Sequence, residues 1–320
     1  MFSNSSRSTW TANSRMDRRH FLGAGSAAAV AAITGIPRLL GTYAAQGAAG
    51  PVVWETGALT YDSVSSLFEA FGGIQKFLPH EIGLATVVLK PNFCLPQPGD
   101  AGITTSNGLL DLLCRRLIAD GAKRIIIADH TLQRTSDFDN ATFFDLARKY
   151  PEVKVALANE ERMFEPVEVP GKVLKNTDRL RLLSKADLFI NVATAKHHSA
   201  TQVSLGTKNL MGTIWNRKDF HMKMDLPQAI GDLALAVRPT MTIVDASRVL
   251  LTGGPTGPGR VIAENRFFAS LDIVAVDAVV TSRYSFGGRE VAPNDVAHLR
   301  AAYENGVGEI DLQKIRVTKV

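Results

Sequence analysis

Several short stretches of this 320-residue chain combine residue types that bind anions or move protons. In Lys196-His197-His198, Lys196 and His198 stand two positions apart, so an extended backbone turns both side chains to one face. Val203 and Leu205 alternate with Ser204, which returns Lys208 and Asn209 toward the same mouth. His221 ends the polar run Asn216-Arg217-Lys218-Asp219-Phe220-His221, and Asp245 ends the apolar run that begins at Met241. Lysine supplies charge for a carboxylate or phosphate, and a neutral imidazole binds a metal or moves protons near pH 7. Lys196, His198, Lys208, His221 and Asp245 are therefore expected to converge in one pocket, with His198 and His221 as the candidate metal ligands.

Around that group, Lys90, Asn92 and Asn209 are expected to add polar contacts. Thr104 and Thr105 precede a helix start, a natural place for an anion. Gly254 and Gly257 lie in Gly253-Gly254-Pro255-Thr256-Gly257-Pro258-Gly259, where backbone N–H groups can cradle a phosphate. Each group also has a plainer reading: a solvated basic turn, a helix cap, a tight connection that needs glycine. Familiar schemes are missing. The chain has no Gly-x-Ser-x-Gly elbow, no His-Glu-x-x-His pair, no Cys-x-x-Cys motif and no Gly-Lys-Ser/Thr phosphate loop. A strand followed by Gly-x-Gly-x-x-Gly is also absent. Acid–base or metal-assisted chemistry through His198, His221, Asp129 and Asp245 is what remains.

The elements that must position these residues alternate. Residues 85–89 read as a buried strand, and Ser106 caps a helix to about Asp120 whose Leu110, Leu113 and Leu117 share one face. Gly121 ends it, and residues 124–129 give the next strand. Strand–helix–strand over so short a span is a βαβ unit, which makes the strands parallel. A helix over 142–149 and strands at 153–157, 188–192 and 241–245 follow. Helices are expected over 226–237 and from Ile273, the latter capped by Asp272 with Asp277 inside it, and residues 316–320 add an edge strand. The expected fold is one large α/β domain, a mixed, mostly parallel sheet flanked by helices. In such sheets ligands bind at the carboxyl ends of the strands, where the polar groups above concentrate.

Charge narrows the partners. The formal charge of +5 comes largely from residues 1–44, which hold Arg7, Arg15, Arg18, Arg19 and Arg38 against Asp17. Removing them leaves 31 basic and 30 acidic residues, so no basic stripe remains and nucleic-acid binding is not expected. Asp17-Arg18-Arg19-His20-Phe21-Leu22 precedes an uncharged Ala- and Gly-rich run to Pro37, the pattern of a twin-arginine export signal. Cleavage is expected near Ala44 to Ala49, leaving a domain over 45–320 in the periplasm or outside the cell. No other segment approaches the ~18 apolar residues of a spanning helix, so the mature protein is expected to lack a stable membrane span. Cys94 and Cys114 are the only cysteines, too few for a protein-ligated iron–sulfur cluster. Cys114 falls on the apolar face of its helix and is expected to be a buried free thiol, although a Cys94–Cys114 disulfide is conceivable in an oxidising compartment.

The motifs carry a resemblance. Lys90-Pro91-Asn92 with Gly102-Ile103-Thr104-Thr105, Lys196-His197-His198, and Lys208-Asn209-Leu210-Met211-Gly212 resemble the DUF362 family, a group named for its unknown function. His221, Asp245 ahead of the Gly253–Gly257 loop, and Ser270, Asp272 and Asp277 match further positions of the family pattern, which places its histidine at His198. Many relatives append a ferredoxin-like cluster domain that this chain lacks, so redox roles do not transfer. Three functions fit: an exported enzyme or cofactor-dependent protein acting on a small anionic molecule, a non-catalytic periplasmic binding protein, or an accessory factor of an exported complex. The expected partners are a small anion or a metal, and the twin-arginine machinery.

Overall fold

The computed structural model describes residues 50–96, 99–138 and 142–320. The paired arginines, the export signal and its cleavage zone lie outside them. Apolar runs alternating with amphipathic helices give a nine-stranded sheet. Its path is β11 (Arg316–Lys319), β1 (Val52–Glu55), β10 (Val261–Ser270), β9 (Met241–Leu250), β7 (Leu188–His198), β2 (Val87–Lys90), β3 (Ile125–Asp129) and β4 (Val153–Leu157), with β8 (Gln202–Ser204) paired to β7. From β9 through β7, β2 and β3 to β4 every pair is parallel. β10 runs antiparallel to both β9 and β1, and β11 closes the edge parallel to β1. The sheet is thus mixed and mostly parallel, as expected.

Alternation along the strands divides the core in two. Val87 and Leu89, Ile125 and Ile127, and Ile190 and Val192 face one layer, which holds α1 (Tyr61–Ala70), α2 (Asn107–Ala119) and α3 (Phe144–Lys149). Val88, Ala128, Phe189, Val244 and Ala246 face the other, which holds α6 (Leu226–Ala236), α7 (Ile273–Arg283) and α8 (Ala297–Glu304). Burial on both faces explains why these strands read as unbroken apolar runs. Ser106 caps α2 and Asp272 caps α7 through side-chain oxygens, as their positions predicted.

Several features depart from the expected elements. β7 runs on to His198, so Lys196 and His198 lie within a strand and not in the loop beyond it. β10 escapes the apolar-run criterion because Glu264, Asn265 and Arg266 interrupt it at a bulge, where Asn265 has φ of 51°. A separate hairpin, β5 (Phe164–Glu168) and β6 (Asn176–Leu180), stands outside the main sheet. Both cysteines are free thiols, and Cys114 is buried, which pushes its thiol up to about 12. No described helix is long and apolar enough to cross a membrane.

Candidate functional site

A cleft of about 510 Å³ opens at the carboxyl ends of β2, β3 and β7. β2 contributes Lys90, β3 Asp129, and β7 Lys196 and His198. The short helices α4 (Gly206–Asn209) and α5 (Arg217–Met222) supply Lys208, Asn209, Arg217, Lys218 and His221. Met211, Trp215 and Leu132 add an apolar side.

Lys90 sits at the bottom, buried, with its ammonium 2.7 Å from Asp129 Oδ1. It also donates to the Pro91 carbonyl at 2.7 Å and to Asn209 Oδ1 at 3.1 Å. Asp129 Oδ2 accepts from the Phe93 backbone N–H at 2.6 Å. Burial still holds the Lys90 ammonium below its ordinary value, against the attraction of Asp129. Gly212 lies against this pair: a Cβ there would collide with Asp129 Oδ1 and lie 2.6 Å from Lys90 Nζ. The glycine that ends Lys-Asn-Leu-Met-Gly is therefore a packing requirement of a buried ion pair.

Lys196 donates to the Ile103 carbonyl at 2.6 Å and to Asn92 Oδ1 at 3.3 Å, with Cys94 Sγ 3.8 Å away. Lys208 is placed differently. Its helix α4 is only one turn long and is held from beneath by Asp277 of α7, whose carboxylate accepts from the N–H groups of Gly206 and Thr207 and from Thr207 Oγ1, each at 2.8 Å. A Cβ on Gly206 would approach Asp277 Oδ1 to 2.8 Å, so only glycine permits that approach. The Lys208 ammonium is buried and meets Met211 Sδ at 3.1 Å. Burial, with Lys196 and Arg217 nearby, pushes it down to about 8.

His198 Nδ1 accepts from the Ala200 backbone N–H at 3.1 Å, which puts the ring proton on Nε2. Burial and the lysines Lys208 and Lys196 push this imidazole down to about 3, so it stays neutral. It is a hydrogen-bond donor held neutral inside a cationic site. His221, at the exposed mouth, is lowered too, by partial burial and by Lys208 and Arg217. The Arg217 guanidinium donates to the His130 carbonyl at 2.9 Å and to the Thr131 carbonyl.

The structure therefore brings Lys196, His198, Lys208 and His221 to one cleft with Lys90, Asn92 and Asn209. Asp245 does not line it. Its Oδ2 accepts from the Ser106 N–H at 2.7 Å, at the start of α2, and its Oδ1 from the Ser247 N–H at 2.9 Å. Both oxygens serve the backbone, because β9 continues past Asp245 and turns that side chain toward α2. Thr105 Oγ1 accepts from the Asn92 N–H just after β2 and donates to the Val192 carbonyl of β7, each at 2.8 Å, and it lies outside the lining with Thr104. Gly254 and Gly257 also lie outside it. A Cβ on Gly254 would collide with the His197 carbonyl oxygen, and the Gly254 N–H donates to His197 Nδ1 at 3.1 Å. Gly257 has φ of 68°, so this loop requires glycine for its own shape and offers only Pro255 to the cleft. Arg217, His130 and Trp215 were not anticipated. Arg217 was visible only as one charge in a polar run, and nothing in the spacing of His130 or Trp215 marks them.

Among the described residues no group of three or more His, Cys, Asp or Glu side chains is placed to hold a metal ion. His198 commits one ring nitrogen to the backbone, and Asp129 is engaged by Lys90. The cleft's lining residues include five lysines and arginines against a single carboxylate, Asp129.

Fold and cleft together define an α/β protein with a cationic pocket at the carboxyl edge of a parallel sheet. The chain belongs to the family described as "Domain of unknown function (DUF362)", whose pattern matches residues 87–282. No curated protein matches it. Among solved structures, it is similar to the lactate racemase apoprotein from Thermoanaerobacterium thermosaccharolyticum, with 14% sequence identity and a TM-score of 0.43. That similarity covers 73% of this chain and 57% of the other, so the chain spans little more than half of the racemase's length.

Proposed function

We propose that this protein binds a small anionic molecule in the cleft and acts on it by acid–base chemistry. The observation that carries the reading is the Lys208 ammonium, buried beside Lys196 and Arg217 and facing a sulfur where a buried cation ordinarily has a carboxylate. An anion entering there supplies the missing charge. Lys208 and Lys196 bind its oxygens, and the neutral His198 donates from Nε2 to an oxygen that gains charge. With its ammonium pushed down to about 8, Lys208 can give up and recover a proton near neutral pH.

Calorimetric titration with inorganic phosphate and with acetate tests the binding step. At least one is expected to bind, and Lys208→Met or His198→Ala should weaken it about ten-fold or more while the fold is retained. Unchanged affinity in both variants would show that the anion sits elsewhere.

We further propose that the protein reaches the periplasm or the cell exterior through the twin-arginine route. The support is the Arg18-Arg19-His20-Phe21-Leu22 pattern ahead of an uncharged run. Arg18→Lys with Arg19→Lys should strand the precursor in the cytoplasm, because lysine does not reproduce the paired guanidinium groups. Cell fractionation reads the outcome, and normal export of the double variant would sink the proposal.

A further inference from the structure

We propose that the anion this cleft takes carries a planar aromatic body; the proposal rests on the anion-binding reading above and names its ligand class. Size is the first argument. A cleft of about 510 Å³ lies within the range of roughly 300–1,000 Å³ typical of pockets that hold cofactor- or drug-sized molecules, far more than one carboxylate or phosphate requires.

The second argument is the segregation of the lining. Cations gather on β2, β7, α4 and α5, whereas Trp215, Met211, Leu132 and Pro255 provide an apolar side. Leu132 is 60% exposed, an apolar side chain left in water at the site itself. The two sides meet where Lys208 Nζ lies 3.1 Å from Met211 Sδ, so a headgroup on Lys208 puts the ligand's body beside the apolar side.

The third argument is that Trp215 is braced. Its ring stacks on His130 with centroids 5.1 Å apart and planes 14° from parallel, and Phe164 of β5 approaches both rings. His130 is fixed in turn by a 2.7 Å hydrogen bond between Nδ1 and the Ile214 carbonyl. The backbone N–H of Trp215 donates to the Asp178 carbonyl of β6 at 2.9 Å, so the hairpin outside the main sheet anchors the main chain that carries this ring. A partly exposed tryptophan that lines the cleft and is fixed from behind is a stacking platform for a flat, apolar group.

Fluorescence and calorimetric titrations of the intact protein with phenyl phosphate against inorganic phosphate, and with benzoate against acetate, test the idea. Each aryl anion is expected to bind about ten-fold or more tighter than its bare headgroup, a difference of about 1.4 kcal/mol. Trp215→Leu should remove that preference while leaving phosphate or acetate affinity within about two-fold, and Trp215→Phe should retain it. Tryptophan emission should respond to the aryl anions, and this response should vanish in both variants. Equal affinity for aryl and bare anions, or a preference that survives Trp215→Leu, would overturn the aromatic proposal and leave the anion reading standing. If the leucine variant fails to fold, the ratios in the parent protein and in Trp215→Phe decide. If none of the four anions binds, the anion reading itself fails, and this proposal falls with it.

Discussion

Two buried carboxylates in this protein each hold a cation, and their surroundings differ. At the β1–β10 end of the sheet, Glu55 receives Arg266 and Arg283, each at 2.6 Å, on its two oxygens. Arg266 also meets Glu264 Oε2 at 3.1 Å, so two carboxylates face the two arginines, whose side chains are 30% and 44% exposed to water. In the cleft, Asp129 holds Lys90 at 2.7 Å with both side chains buried, and Lys196, Lys208 and Arg217 share a lining that contains no further carboxylate among the described residues. The first cluster completes itself. The second concentrates positive charge where water is scarce, an arrangement that costs stability unless an anion enters. Buried charge alone does not distinguish a site from a scaffold; uncompensated buried charge does.

That contrast can be broken by removing each carboxylate. Asp129→Ala leaves Lys90 sealed without its counter-charge and frees the Phe93 N–H, so a loss of about 3–5 kcal/mol is expected. Glu55→Gln keeps the shape, and its arginines can turn to solvent, so the loss there should be about 1–2 kcal/mol. Urea unfolding of the two variants checks the order. If Glu55→Gln were the more damaging, the sealed pair would not be the structural anchor of the cleft.

The sequence reading succeeded where local signals and tertiary demands coincide. Ser106 and Asp272 sit one residue ahead of helices with apolar faces, and both cap those helices. The apolar runs of β2, β3, β7 and β9 are legible because the sheet is covered on both sides. Asp245 misled, because a carboxylate at the end of an apolar run looks the same whether it faces a ligand or caps a helix from another strand. Lys90 and Lys208 are indistinguishable as letters. Only the fold shows that the first meets Asp129, 39 positions away, and that the second meets Met211, three positions on. The roles of Trp215 and Arg217 do not show in the sequence for a related reason: their partners are backbone carbonyls and a ring contributed by distant segments. The described residues carry the site, while the export reading rests on residues outside them.

The smallest effect sharpens the contrast most, because its sign runs against the usual cost of altering a buried residue. Unfolded, Lys208 titrates near 10.5; folded, its ammonium is pushed down to about 8. The folded state therefore holds this proton more weakly, and the penalty is fully present below about pH 8. It fades as pH rises from about 8 toward 10.5, where the unfolded lysine also loses its charge. Lys208→Met removes the charge, keeps much of the side-chain bulk, and should stabilise the protein by about 1 kcal/mol at pH 7. The gain should shrink through that window. Anion affinity moves the other way: in the parent it should fall as pH passes about 8, and the variant should lack this limb of the profile. Unfolding curves at pH 7 and 9.5, beside anion titrations across the same range, read both. A Lys208→Met protein less stable than its parent at pH 7 would mean that this lysine is compensated where it stands, and that the cleft closes on itself as the Glu55 cluster does.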